Sequence, residues 1–120
     1  MTIEQLVDGL KTKNKMYKFE KVISLIDENY DYQPTQFSNG LGKDALINDA
    51  GTNEGSCKVF AFASLHQLNQ EETLRCFAEH YESVLAEPEG TAHANIRSFM
   101  KHGWPGIAFE RMPLTLKSSV

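Results

Sequence analysis

Apolar side chains are most concentrated between Gly55 and Leu65, where phenylalanine, valine and alanine stand together with few polar residues. At helical spacing these side chains leave little of the circumference for water, so the segment must be packed on several sides. A buried strand is the alternative, since periodicity alone cannot assign a short apolar run. The run continues to Leu68, too long for an average strand, and either Asn53 or Ser56 could cap a helix. The pattern therefore favours a central buried helix.

Two amphipathic helices are predicted before this segment. The hydroxyl of Thr2 can cap the first helix, while the side chain of Gln5 reaches back to the capping amide. This helix ends near Leu10 or Lys11, where a lysine-rich linker begins. The second helix cannot continue through Pro34, which lacks a backbone donor. Its apolar residues recur at helical spacing and are Phe19, Val22, Ile23, Ile26 and Tyr30.

Two further helices are predicted after the central one. Asn69 and Glu72 form a second capping box, which indicates a helix that runs to about Ala86. Thr91 can cap the next helix, and Gly103 is suited to end it because glycine readily adopts the left-handed conformation.

Short strands are predicted at Thr35 to Phe37, before an Asn-Gly turn signal, and at Ile107 to Phe109, and the two would pair antiparallel. The loop from Leu41 to Gly55 is long for a structureless connection, so part of it is packed or functional. Residues 116–120 are expected to form a frayed tail. Together these elements predict an α+β fold, mainly helical, with about five helices and a small antiparallel β element.

Length and composition indicate one domain, which we assign to residues 1–120. With 12 basic and 16 acidic residues, the formal charge of -4 creates no field that favours nucleic acid or an anionic membrane. The linker lysines have no arginine and few aromatic residues beside them, so we interpret them as solvated. They are Lys11, Lys13, Lys15, Lys18 and Lys21. No apolar run approaches the roughly 18 residues of a membrane span, and no hydrophobic leader follows Met1, so a cytoplasmic protein is expected.

Cysteine and histidine give no sign of a metal centre. Cys57 and Cys76 are too few and too far apart to suggest a disulfide framework or a metal site. The 4 histidines include no pair at the spacing of one helical turn. No metal and no cofactor are therefore predicted.

One candidate reaction centre involves Cys57, which is predicted to lie in the first turn of the central helix. There the helix dipole, helped by Lys58, could lower the thiol pKa and create a nucleophile, with His93 as its base. The alternative is a small buried core residue. We favour the core residue, so no residue is predicted to be catalytic and an enzyme is the less favoured class.

Arg97 is a candidate anion-binding residue, with His93 and Asn95 near it at the start of a predicted helix. Guanidinium groups and helix N-termini both favour carboxylates and phosphates. The alternative for Arg97 is an ion pair or a carbonyl contact within the fold. The loop from Gly51 to Ser56 resembles a phosphate-binding loop only loosely, because it lacks the Gly-Lys-Ser/Thr ending. Lys58 is expected to extend to solvent while its methylene groups cover the core.

Several groups of residues form a specific pattern when they are taken together. They are Gly55-Ser56-Cys57-Lys58, Phe60-Ala61-Phe62-Ala63, His93 with Asn95-Ile96-Arg97, Gly103-Trp104 with Gly106-Ile107, and Tyr30-Asp31-Tyr32 with Pro34-Thr35. Over about residues 3 to 112 the chain resembles the HopJ family of type III effectors. The resemblance implies a small bacterial protein and supplies neither a reaction nor a ligand. A helix that begins at Thr2 leaves no flexible leader, so we expect a resident cytoplasmic protein, with type III secretion as the alternative.

The leading functional hypothesis is a non-catalytic binding or interaction protein, whose partner is another protein or a small anionic ligand. The alternatives are a secreted effector that acts on a host target, and an enzyme that uses Cys57 with His93. Neither nucleic acid nor a membrane is a predicted partner. The candidate binding residues are Asn53, Ser56, Cys57, Lys58, His93, Asn95, Arg97 and Trp104.

Overall fold

Helices provide most of the regular structure in the computed structural model, which describes residues 1–12 and 15–117. The helices in these ranges are α1 (Ile3–Thr12), α2 (Phe19–Asn29), α3 (Glu54–Leu65), α4 (Gln70–Arg75), α5 (Glu79–Ala86) and α6 (Ala94–His102). The strands are β1 (Tyr30–Tyr32), β2 (Phe37–Asn39), β3 (Leu46–Asn48), β4 (Ile107–Phe109) and β5 (Leu114–Leu116). The fold is α+β and mainly helical, as predicted.

The helix α3 lies at the centre of the hydrophobic core, which confirms the helical interpretation of the apolar run. Both Phe60 and Phe62 are fully buried. The ring centroid of Phe60 lies 6.0 Å from that of Phe37, 5.4 Å from that of Phe77 and 5.0 Å from that of Phe99. Because these rings come from β2, from the segment after α4 and from α6, one side chain of α3 ties three parts of the fold together.

Both predicted capping boxes are present. The backbone N–H of Thr2 donates to Oε1 of Gln5 at 2.8 Å, and the N–H of Gln5 donates to Oγ1 of Thr2 at 3.1 Å. The N–H of Asn69 donates to Oε1 of Glu72 at 2.9 Å, and the N–H of Glu72 donates to Oδ1 of Asn69 at 2.8 Å. Each box satisfies two amides of a first turn that have no acceptor inside the helix.

The helix predicted from Asn69 to Ala86 is broken into α4 and α5, so that prediction was wrong. The amides of residues 76–78 donate to carbonyls three residues earlier, which tightens the chain after Arg75. Ala78 then takes φ 52 and ψ -122, a conformation outside the helical region. The break leaves Phe77 buried in the core and starts a new helix at Glu79.

The predicted antiparallel pairing of two short strands is confirmed, within a sheet of order β3-β2-β4. Phe37 lies opposite Phe109 in the register. The first strand begins at Phe37 rather than at Thr35, whose hydroxyl is instead engaged with the carbonyl of Gln33 at 2.8 Å. The third strand, β3, lies inside the long loop, part of which is therefore packed as expected.

A second sheet joins β1 and β5, and neither strand was predicted. Tyr30 was assigned to the end of a helix and residues 116–120 to a frayed tail, yet Tyr30 pairs with Leu116. This pairing joins distant parts of the sequence, so no local pattern indicates it. Residues 118–120 of the expected tail and residues 13 and 14 of the lysine-rich linker lie outside the described residues.

Candidate functional site

The helices α3 and α6 begin in the same unusual way. Each is preceded by a residue in the left-handed conformation, Asn53 with φ 49 and His93 with φ 59, and neither side chain caps its helix. The first helical bonds run from the amide of Cys57 to the Asn53 carbonyl and from the amide of Arg97 to the His93 carbonyl. The helix α6 therefore starts after His93, and the predicted cap at Thr91 was wrong.

Six backbone amides are left without an acceptor among the described residues, at positions 54–56 of α3 and 94–96 of α6. The two first turns line one cleft of about 380 Å³, which we call the α3–α6 cleft. Its lining residues are Phe19, Asn53, Gly55, Ser56, Phe77, His80, His93, Ala94, Asn95 and Ile96.

The two helix starts contribute partial positive charge to the α3–α6 cleft. Each helix N-terminus carries the positive end of a helix dipole, and here two such ends share one space. None of the lining residues is acidic, and Glu54 in the first turn of α3 is not among them. The imidazoles of His80 and His93 add N–H donors, because a neutral imidazole still carries one.

A network of asparagines fixes the positions of the two helix starts. Oδ1 of Asn48, in β3, accepts from Nδ2 of Asn53 at 2.7 Å and from Nδ2 of Asn95 at 2.9 Å. Asn95 is held in addition by Nδ2 of Asn39, in β2, which donates to the Asn95 carbonyl at 2.8 Å. Asn39, Asn48 and Asn95 are all buried, so their bonds have no competition from water. One side chain of β3 thus links the starts of α3 and α6.

The cleft contains four of the candidate binding residues, Asn53, Ser56, His93 and Asn95. Cys57 does not line it. The Cys57 thiol is buried and donates to the carbonyl of Thr35 at 3.8 Å. Burial raises the pKa of this thiol, which is the opposite of what an activated nucleophile requires.

Lys58, Arg97 and Trp104 also lie outside the cleft lining, each with a partner in the fold. Nζ of Lys58 pairs with Asp27 at 2.8 Å and the side chain is 18% exposed, so its charged end is engaged within the fold rather than extended to solvent as expected. The Arg97 guanidinium donates to main-chain carbonyls, from Nε to Ala92 at 2.6 Å, which is the alternative that its sequence position left open. Nε1 of Trp104 donates to the Leu68 carbonyl at 2.9 Å.

Sequence reasoning missed several residues of this region, above all His80 and Asn48. His80 reaches the cleft because the chain breaks at Ala78 and restarts as α5, and no sequence signal marked that break. Asn48 lies in the long loop that is predicted to be packed or functional in part, but it is not among the residues predicted to form a site. A buried asparagine of this kind could be suspected from its place beside a small apolar group, Leu46 and Ile47, but its partners could not.

We expect neither cysteine to react with iodoacetamide in the native protein. Cys57 is 1% exposed and Cys76 is 0% exposed, and burial raises the pKa of Cys76 to about 12. Labelling should therefore require opening of the fold and should accelerate in mild denaturant. Mass spectrometry of timed samples measures both rates. Rapid labelling of native Cys57 that slows in His93→Asn would contradict this expectation and favour Cys-His chemistry.

Comparisons with known proteins identify a family and a similar solved structure. The family described as HopJ type III effector protein matches residues 3–114. A crystal structure of a protein of unknown function, VPA0580, shares 45% sequence identity and superimposes with a TM-score of 0.88, over 98% of this chain and 95% of that chain. No curated protein matches the chain significantly. Within the described residues, no helix is long and apolar enough to cross a membrane, and no group of three potential ligand side chains could hold a metal ion.

Proposed function

The chain belongs to the HopJ type III effector family, and from this premise we propose that it is a non-catalytic binding protein whose α3–α6 cleft takes a small anionic ligand. The observation that carries the proposal is the convergence of two uncapped helix N-termini on one cleft without an acidic lining residue. An isolated helix start can be satisfied by water, but two that share a cavity offer it several amides, and five of the six residues that carry these amides line the cleft.

A phosphate or carboxylate group is the chemistry that fits these donors. Its oxygens accept hydrogen bonds only, and the shared positive ends of α3 and α6 favour its charge. Charge-assisted bonds of this kind are about twice as strong as bonds between neutral groups. The imidazoles of His80 and His93, which also line the cleft, can donate further bonds. The cleft volume of about 380 Å³ is within the range of small-molecule sites.

The catalytic alternative receives no support from the geometry. The Cys57 side chain is buried against Thr35, whereas His93 lines the cleft, so the two residues that an enzyme of this kind would use do not share a site. A secreted effector that acts on a host target is supported by the family description alone. Binding of an anion is compatible with either place of action.

The anion proposal is tested by titration of 15N-labelled protein with inorganic phosphate, followed by NMR. We expect shifts of the amides of Gly55, Ser56 and Ala94 that saturate with a Kd on the order of 1 mM, equal to about 4 kcal/mol. Ser56→Asp should weaken binding about tenfold, because its carboxylate would occupy the same amides. Ser83→Asp is the matched control, since it adds the same charge at an exposed position of α5 outside the cleft. If the amides of both first turns stay unmoved while phosphate is in large excess, binding of a phosphate group is refuted.

We place the protein in the bacterial cytoplasm and keep type III secretion as the alternative. The helix α1 is packed into the core through Ile3, Leu6 and Leu10, so export of the folded chain would require this helix to unfold. A fusion of residues 1–15 to a reporter enzyme, expressed in a bacterium with a type III system, distinguishes the two. We expect the reporter to remain inside the bacterial cell. Its export from that cell through the type III system would establish secretion.

A further inference from the structure

A continuous row of aromatic rings forms one wall of the α3–α6 cleft. The rings of Phe19 and Phe77 are stacked, with centroids 6.2 Å apart and planes 12° apart. Phe19 meets His80 edge to face at 4.7 Å, and the rings of His80 and His93 lie 5.0 Å apart. All four residues line the cleft. Phe77 is buried behind the row, while Phe19 and His80 are half-buried and His93 is exposed, so three rings remain accessible from the cleft.

The ring row lies directly beside the amides of α3. A Cβ atom at Gly55 would lie 3.0 Å from Cζ of Phe19, so any larger residue here would push the ring back from the first turn by a few tenths of an ångström. The donors for an anion and a flat aromatic surface are therefore adjacent parts of the same cleft. An inorganic anion would use the donors and cover little of the aromatic surface.

We propose, on the basis of the function proposed above, that the ligand of this cleft is a planar ring compound that carries a phosphate or carboxylate group. The anionic group lies at the first turns of α3 and α6, and the ring lies against Phe19, His80 and His93. Aromatic side chains favour offset-stacked or edge-to-face contact with another ring, and a flat ligand loses little conformational freedom when it binds. The polar and aromatic parts of the cleft thus bind different parts of one molecule.

The test compares four probes in the same NMR titration: inorganic phosphate, phenyl phosphate, cyclohexyl phosphate and benzoate. We expect phenyl phosphate to bind about tenfold more tightly than inorganic phosphate, a difference of about 1.4 kcal/mol. Cyclohexyl phosphate has a similar apolar area without a flat ring. Its affinity should exceed that of inorganic phosphate by a clearly smaller factor. Benzoate distinguishes a carboxylate ligand from a phosphate ligand, and a ring compound that saturates the same amides at lower concentration than inorganic phosphate supports the proposal.

Variants test whether the tighter binding of phenyl phosphate depends on the ring row. Phe19→Leu keeps an apolar side chain but removes the ring, and should reduce the ratio of phenyl phosphate to inorganic phosphate affinity from about ten to near one. His93→Asn also removes a ring, and asparagine tolerates the left-handed conformation at this exposed position. Phe109→Leu, a ring outside the cleft, is the control that should keep the ratio.

The outcomes separate this inference from the function on which it rests. If inorganic phosphate binds at the first turns and phenyl phosphate binds no more tightly, the ring inference is wrong and the anion site stands. If phenyl phosphate and cyclohexyl phosphate exceed the affinity of inorganic phosphate by the same factor, the inference that the ligand is planar is also wrong. If none of the four probes shifts the amides of α3 and α6, the proposed function itself fails.

Discussion

Replacement of Phe60 by alanine is expected to lower the free energy of unfolding by about 3 to 5 kcal/mol. The side chain is fully buried, and its ring packs against those of Phe37, Phe77 and Phe99. Truncation removes these contacts and leaves a cavity that a close-packed core fills only partly. Because small proteins are stable by about 5 to 15 kcal/mol in total, this single change removes a large share of the stability.

Urea denaturation followed by circular dichroism measures the effect, and Leu85→Ala provides a matched control. Leu85 is an apolar helical residue that is 53% exposed, so its truncation should change stability by less than about 1 kcal/mol. A denaturation midpoint of Phe60→Ala that lies near that of Leu85→Ala would show that the ring contacts of α3 do not hold the core together.

The elements that sequence predicted well are those that local interactions determine. The capping boxes at Thr2 and Asn69 use residues three positions apart, so their bonds could be read directly from the sequence. The many apolar residues of α3 likewise indicated that this helix is buried, although they did not indicate which elements cover it. The strands depend on distant partners instead. Tyr30 extends into β1 because β5 lies beside it, and that pairing spans most of the chain.

The break at Ala78 shows why a helix end can escape prediction. Alanine is a strong helix former, so its sequence context favours continuation. The conformation at Ala78 instead accompanies the burial of Phe77 against Phe60 and Phe19, which are contributed by other helices. Tertiary packing thus overrides local propensity, and the restart of the chain as α5 brings His80 to the cleft.

Half of the candidate binding residues line the cleft for a similar geometric reason. Polar residues near a helix start can be identified from sequence, but consecutive positions of a helix point about 100° apart. Ser56 therefore lines the cleft, whereas Cys57 and Lys58 do not. In α6 the same rotation separates Asn95 from Arg97, whose guanidinium bonds to nearby carbonyls. The sequence identified the first turns, and only the packing of the helices determines which side of each turn faces the cleft.

Replacement of Asn48 by alanine is expected to cost about 2 to 3 kcal/mol and to loosen both helix starts together. Nδ2 of Asn95 would lose its acceptor while it remains buried, and Nδ2 of Asn53 would lose its bond to the same oxygen. A buried donor without a partner carries a desolvation cost of about 1 to 3 kcal/mol, and the removed amide leaves a small cavity.

Amide hydrogen exchange tests whether Asn48 links the first turns of α3 and α6, which an ordinary core residue would not do. The amides of Cys57 and Arg97 make the first helical bonds of α3 and α6, so both should lose protection in Asn48→Ala by more than the global loss of stability explains. Asn29→Ala is the control, because Nδ2 of Asn29 bonds to the Leu25 carbonyl at 2.7 Å within its own helix. If only one of the two first turns loosens, Asn48 does not link them, and the cleft must be held open by the packing of the helices instead.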